Sequence, residues 1–210
     1  MIAFITVKGK SKRCPRKNHR LLPYVLKQLG NFLQIIVITD SLELKRIAEK
    51  FNVEVFMEEQ EIQQSELHSI YNYLIKTNNL ETIKEFIHIQ VTHPLRNIEL
   101  IMKVGFVDIS EYDFATSYTI VPNRKIFLLN EDNTFMYDSY ERKGSVCNDV
   151  KMIDGCIYKI KTSFLKNILQ SSNVNHSFWN ESKIKFIENN SDFFLDVDTP
   201  KDLKIFEKIK

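Results

Sequence analysis

Four short apolar runs, each followed by a stretch with helical periodicity, constrain this chain more than any other feature. Ile2 to Val7, Gln34 to Thr39, Val53 to Phe56 and Phe86 to Val91 have the length and β-branched content of buried strands. A helix is expected near Leu21, a second with its apolar stripe at Leu44, Ile47, Ala48 and Phe51, a third around Ile70, Tyr73 and Leu74, and a fourth running to Val107. Asp40 or Ser41 is placed to cap the second. Strands alternating with helices imply a parallel sheet, because parallel neighbours need a crossover connection. The expected fold is therefore α/β, Rossmann-like and doubly wound, with a mainly parallel sheet.

From Tyr112 the pattern changes. Phe114 to Val121, Lys125 to Leu129 and Thr134 to Tyr137 are short β-rich pieces, with a turn over Asn130 to Asn133, and they suggest an inserted antiparallel arm at about 122–150. Ile153 to Ile160 returns to the sheet, Ser163 to Leu169 is helical, and Ile184 to Ile187 is a last strand. With 210 residues, 43% hydrophobic, and only five Gly and five Pro, the chain reads as one compact domain, residues 1–210.

The net charge of +2 conceals an asymmetry. Seven of the 29 basic residues fall between Lys8 and Arg20, a stretch without Asp or Glu, leaving 22 basic against 27 acidic residues elsewhere. This block follows the first strand, where open α/β sheets bind anions at loop and helix-start N–H groups. It is either a polyphosphate site or a solvated or nucleic-acid-binding patch. Gly9-Lys10-Ser11 resembles the tail of a phosphate-binding P-loop, but the first glycine of that motif falls at Phe4, so the motif fails. Single-stranded nucleic acid would call for aromatic residues among the charges, and none occurs from 8 to 20.

Near the other end, Asp196 and Asp198 sit two apart on an extended segment, so both face one side. Two hard oxygen donors at the edge of a phosphate pocket suit Mg²⁺, which takes one or two protein carboxylates and completes its shell with phosphate and water. Thr199, Pro200 and Asp202 read as N-cap, N1 and N3 of a terminal helix. Capping does not account for Asp196 and Asp198, whose mutual repulsion a cation would relieve. Cys14, Cys147 and Cys156 form no C-x-x-C pair and are expected as reduced structural thiols. No window approaches the roughly 20 apolar residues of a membrane helix, and the start is too short for a signal peptide. A cytoplasmic protein with no membrane and no nucleic-acid partner is expected.

Ile5-Thr6-Val7-Lys8-Gly9-Lys10-Ser11-Lys12-Arg13-Cys14-Pro15-Arg16-Lys17-Asn18 resembles the N-terminal signature of the acylneuraminate cytidylyltransferase (CMP-sialic acid synthetase) family, I-P-A-R-G-G-S-K-G-I-P-R-K-N, matching at Ile5, Gly9, Ser11, Lys12, Pro15, Arg16, Lys17 and Asn18. Lys8 stands where the family has arginine, and Lys10 and Arg13 where it has glycines. Leu195 to Leu203, L-D-V-D-T-P-K-D-L, resembles the family's I-D-I-D-T-P-E-D-L. Gln90 to Arg96 is similar to its Q-P-T-S-P-L-R, with His93 for serine, and Asp154 to Tyr158 to its N-G-A-I-Y. The family's Arg-Pro after the third strand is replaced by Met57-Glu58-Glu59-Gln60.

The resemblance implies the nucleotide-diphospho-sugar transferase type of fold and transfer of CMP from CTP to the anomeric hydroxyl of a sialic-acid-like nonulosonic acid, with release of pyrophosphate, for surface glycan synthesis. It assigns nucleotide binding to Lys8, Gly9, Ser11, Lys12 and Asn18, catalysis to Lys17 and Asp198, and Mg²⁺ to Asp196 and Asp198. Gln90, with Arg142 and Lys143, falls to the acidic sugar, and the arm to a homodimer. The sequence identifies no base for the sugar hydroxyl; Asp198 or a metal-bound water is a candidate, whereas His93 and Arg96 read as loop and helix-start structure. Alternatives are a nucleotidyltransferase of the same fold acting on another sugar acid or a sugar phosphate, or a catalytically silent nucleotide-binding relative.

Overall fold

A computed structural model of the chain describes residues 1–30, 32–59, 65–121, 150–171, 173–191 and 195–210. Within them the strands are β1 (Ile2–Val7), β2 (Gln34–Thr39), β3 (Glu54–Met57), β4 (Glu85–Ile89), β5 (Phe114–Val121), β6 (Val150–Lys161) and β7 (Ile184–Glu188). The helices are α1 (Lys17–Leu29), α2 (Leu42–Glu49), α3 (Glu66–Lys76), α4 (Ile98–Phe106), α5 (Thr162–Ile168), α6 (Val174–Asn180) and α7 (Pro200–Ile209). The strands form one sheet in the order β3-β2-β1-β4-β6-β5-β7. Neighbouring strands run parallel except at β6, which is antiparallel to both β4 and β5.

Strand periodicity decides which helix covers which face. Ala3, Ile5 and Val7 of β1 point with Ile35 and Val37 toward buried residues of α1, α2, α4 and α7, among them Leu21, Leu44, Val104 and Phe206. Phe4, Ile36 and Ile38 point the other way, toward Ile70 and Leu74 of α3, Leu165 of α5 and Phe178 of α6. The two faces together make a doubly wound sheet, as the strand-helix alternation predicts.

Most boundaries shift by a residue or two. The third strand begins at Glu54 rather than Val53, the fourth covers Glu85–Ile89, and α1 starts at Lys17, four residues ahead of Leu21. Ser41, not Asp40, caps α2 by accepting a hydrogen bond from the Leu44 N–H. Two expectations need correction. Phe114 to Val121 belongs not to an arm but to the main sheet, between β6 and β7. Its Thr116 and Ser117 look exposed by composition, yet both are fully buried, Thr116 donating to the Ile157 carbonyl and Ser117 to Asp154. Helix α6 was not expected, because V-N-H-S-F-W-N lacks apolar periodicity; Asn173 starts it by accepting from the His176 N–H. The arm at about 122–150, with Arg142, Lys143 and Cys147, lies outside the described residues apart from the start of β6.

Candidate active site

The chain reverses its direction of winding at β1. Strand β2 lies on one side of it and β4 on the other, so a crevice opens beyond the carboxyl ends of β1 and β4. A cleft of about 980 Å³ occupies this place. One wall is the basic loop, contributing Lys8, Lys10, Ser11, Lys12 and Arg13; Lys17 and Asn18 of α1 close it below, and Asp196 and Asp198 face it from the segment before α7. Gln90, Thr92 and His93 follow β4, and Glu66, Gly155 and Tyr158 form the far end. Gly155, at φ 66°, takes a left-handed conformation where the β5–β6 register shifts, a place where a side chain would strain the backbone.

Lys17 is the most constrained charge in the cleft. It is 7% exposed, and its Nζ donates to the Val197 carbonyl at 3.0 Å and to Asp198 Oδ1 at 2.8 Å. Val197 is buried and its N–H donates to the Thr92 carbonyl, so the flanking aspartates turn outward together, as period two requires. The capping box is present: Thr199 and Asp202 bond each other's backbone N–H groups, and Asp202 Oδ2 also accepts from the Asp198 N–H at 3.2 Å. The helix cap thus fixes the backbone of Asp198.

Asp198 carries a second partner, Arg13, whose Nη1 lies 2.8 Å from Oδ2. Burial pushes the Asp198 pKa up, but the hydrogen bond and charge of Lys17 and the charge of Arg13 outweigh it and hold the carboxyl below its ordinary value. Two expectations change accordingly. With Lys17 on Oδ1 and Arg13 on Oδ2, Asp198 is a weak proton acceptor in this arrangement. The repulsion between Asp196 and Asp198 is relieved here by Lys17 and Arg13, so it is no longer an argument for a metal. What remains for Mg²⁺ is the donor chemistry itself: two carboxylates on one cleft beside a basic wall, a set that fits a hard cation completed by phosphate and water. Among the described residues no group of three or more His, Cys, Asp or Glu is arranged to hold a metal.

The other expected residues sort by position. Asn18 donates from Nδ2 to the Lys8 carbonyl at 2.8 Å, while its buried Oδ1 has no donor among the described residues. Ser11 Oγ accepts from the Cys14 N–H, and Lys12 lines the wall. Gly9 is different: its N–H donates to Asp40 Oδ1 at 2.6 Å, and a Cβ there would meet Ser41 Cβ at 2.8 Å. It packs the loop on the β2–α2 turn rather than facing the main cleft. Gln90 does face it, with Nε2 donating to Glu66 Oε2 at 2.6 Å. Arg96, 4% exposed, donates to the Gln90 carbonyl and to Cys156 Sγ, a structural role that anchors the Gln90 backbone.

Glu66, Arg13 and Tyr158 escaped the sequence assignment. Glu66 reads locally as a first-turn helix acid, and Arg13 as one of many loop charges. His93, read as loop structure, has its Nε2 3.9 Å from Asp196 Oδ1. His88, fully buried, shares its Nε2 with Thr6 Oγ1 at 3.0 Å and lies 3.6 Å from Glu66. Burial lowers its pKa, against the charge of Glu66 and with that of Arg96. The unfolded chain therefore takes up a proton first: the unfolding free energy is at its full value above about pH 6.5 and falls as pH drops below it. Urea denaturation at pH 7.5 and 5.5 checks this. His88→Gln will shrink the difference without abolishing it, because burial lowers the His93 pKa too.

No family model matches this chain, and no curated protein matches it in sequence. Solved structures do. A CMP:2-keto-3-deoxy-manno-octonic acid synthetase complexed with CTP superposes with a TM-score of 0.70 at 16% identity, covering 99% of this chain and 97% of that one. A cytidylyltransferase from Leptospira borgpetersenii serovar Hardjo-bovis gives 0.66 at 15% identity, covering 98% and 84%. The 4-diphosphocytidyl-2C-methyl-D-erythritol synthase of Anaerococcus prevotii gives 0.62 at 13%, covering 97% and 94%. At these identities the likeness establishes the fold, the nucleotide-diphospho-sugar transferase type expected from the sequence. Among the described residues no helix is long and apolar enough to cross a membrane.

Proposed function

We propose that this chain is a nucleotidyltransferase that uses CTP and transfers CMP to a hydroxyl of an acidic sugar, of the sialic-acid or related nonulosonic type. One observation carries this reading: a basic loop, the Lys17–Asp198 pair and Gln90, which lie far apart in sequence, converge on one cleft at the switch point of the sheet. The neighbours in fold add weight, since all three are named for cytidylyl chemistry and one holds CTP.

The basic wall binds the triphosphate through Lys8, Lys12 and Arg13, and Asn18 braces it by donating to the Lys8 carbonyl. Lys17 keeps a positive charge beside the phosphates at no reorganisation cost, because its position is already set by Val197 and Asp198. The acceptor enters from the Gln90, Glu66 and Tyr158 end, so its hydroxyl oxygen attacks the α-phosphorus in line. A P–O bond forms to the sugar, the bond to pyrophosphate breaks and pyrophosphate leaves, and the hydroxyl proton passes to water in the cleft. Positioning and charge do the work, and no nucleophilic Cys or Ser is required. Asp196 and Asp198 would hold Mg²⁺, which when bound supplies charge neutralisation for the phosphates.

Glu66 favours a second reading for the acceptor. A carboxylate bonded to Gln90 repels an acid group set against it and suits a pair of hydroxyls. The sugar's own carboxylate then turns to the basic wall, or to Arg142 and Lys143 in the arm, or the acceptor has none. Pyrophosphate release from each of CTP, UTP, ATP and GTP, with Mg²⁺ and a panel of nonulosonic acids, octulosonic acids and sugar phosphates, tests this. Release is expected with CTP and a 2-keto acid sugar and should vanish in Asp196→Ala and Asp198→Ala. Release only with a sugar phosphate selects the second reading, and none from any pair leaves a nucleotide-binding relative without the reaction.

A further inference from the structure

Asp198 is held by two cations of very different character. Lys17 is buried and bonded twice, while Arg13 is 72% exposed in its side chain and makes its ion pair from the loop. Asp198 is held in place, its backbone N–H by Asp202 and its Oδ1 by Lys17. Of the three charges, only Arg13 is free to leave. It sits on Oδ2, and Lys17 already holds Oδ1.

We infer that Arg13 is a phosphate-sensing gate on Asp198: its guanidinium sits on Oδ2, and an entering nucleotide triphosphate draws it off onto phosphate oxygens, freeing that oxygen for a divalent cation. This rests on the cleft being a nucleotide site. An exposed ion pair is worth little in water, whereas a guanidinium meets phosphate with two parallel hydrogen bonds, so the exchange runs toward the phosphate. The same residue therefore opposes the cation while it is paired with Asp198 and helps the nucleotide bind. Nucleotide and cation become mutually supportive ligands, each tightening the other. Arginine at this position also differs from the glycine of the motif the loop resembles, so the gate belongs to this chain.

The test uses the full chain without nucleotide, Mn²⁺ as the cation probe followed by the resonance of the free ion, and CTP binding by calorimetry in the presence of a chelator. Arg13→Gln should tighten Mn²⁺ about three- to fivefold, the size of one exposed ion pair released. It should weaken metal-free CTP by a similar factor. Lys12→Gln removes the same charge from the same loop without touching Asp198, and should weaken CTP while leaving Mn²⁺ closer to wild type. If Arg13→Gln binds Mn²⁺ no more tightly than Lys12→Gln does, the gate is wrong. If wild-type protein binds no CTP at all, the nucleotide reading falls, and the Mn²⁺ comparison still reports on the Arg13–Asp198 contact by itself. Thermal melts of both variants should match wild type, since both side chains leave the core untouched.

Discussion

Lys17→Met will lower kcat/KM for pyrophosphate release by about a hundredfold or more, the usual loss when one preorganised charge at a transferring group is removed. Methionine keeps the length and the apolar stem, so little changes in packing, but the Val197 carbonyl loses its donor and Asp198 Oδ1 its partner. Those losses should destabilise the fold by about 1–3 kcal/mol, at the low end because Asp198 is 30% exposed and keeps Arg13. Lys17→Arg should not rescue. The site encloses the lysine side chain to 9% exposure, and a planar fork does not replace a compact ammonium bonded to both a carbonyl and a carboxylate. Steady-state kinetics separate the two effects from urea denaturation. A rate within threefold of wild type would remove Lys17 from the chemistry and leave it as a structural clasp between α1 and the segment before α7.

What the sequence made legible in this site is what can be written locally. The block of charge after β1 and the aspartates two apart each have a pattern within a dozen residues, and Thr199, Pro200 and Asp202 spell a helix start that the capping box confirms. Pairings across the cleft have no such pattern. Nothing near Arg13 says that it reaches Asp198, and nothing near Glu66 says that it bonds Gln90, because both contacts depend on the order β2-β1-β4 bringing separate loops together. The fold was readable for a similar reason. Strands buried on both faces are runs of Ile and Val at β1 and β2, but β5 hides Thr116 and Ser117 inside the sheet by giving their hydroxyls partners that only the folded chain supplies. An irregularity on β6 explains Asp154 as well. Standing where the resembled motif has asparagine, it accepts from Ser117, Asn189 and the Cys156 N–H and so holds the bulge whose Gly155 floors the cleft.

Phe114→Ala should be the most damaging core substitution at the acceptor end, costing about 3–5 kcal/mol and lowering Tm by about 10 °C for a chain of this size. The ring is fully buried and sits at the centre of an aromatic cluster, 4.3 Å from Phe178, 5.7 Å from Phe164, 5.9 Å from Trp179 and 6.5 Å from Tyr158. Truncation removes area and also the ring contacts that add to it. The cluster ties β5 and β6 to α6, and Tyr158 within it lines the cleft beside Glu66 and Gln90. Loosening it should therefore raise KM for the acceptor while CTP affinity, set by the basic loop and Lys17 on the opposite wall, stays near wild type. Trp179 is the chain's one tryptophan, so its emission reports on this cluster alone and should shift to the red in the variant. Phe114→Leu, which refills most of the space, should recover the greater part of the stability. Equal loss of CTP and acceptor binding would mean that the two ends of the cleft are not held separately.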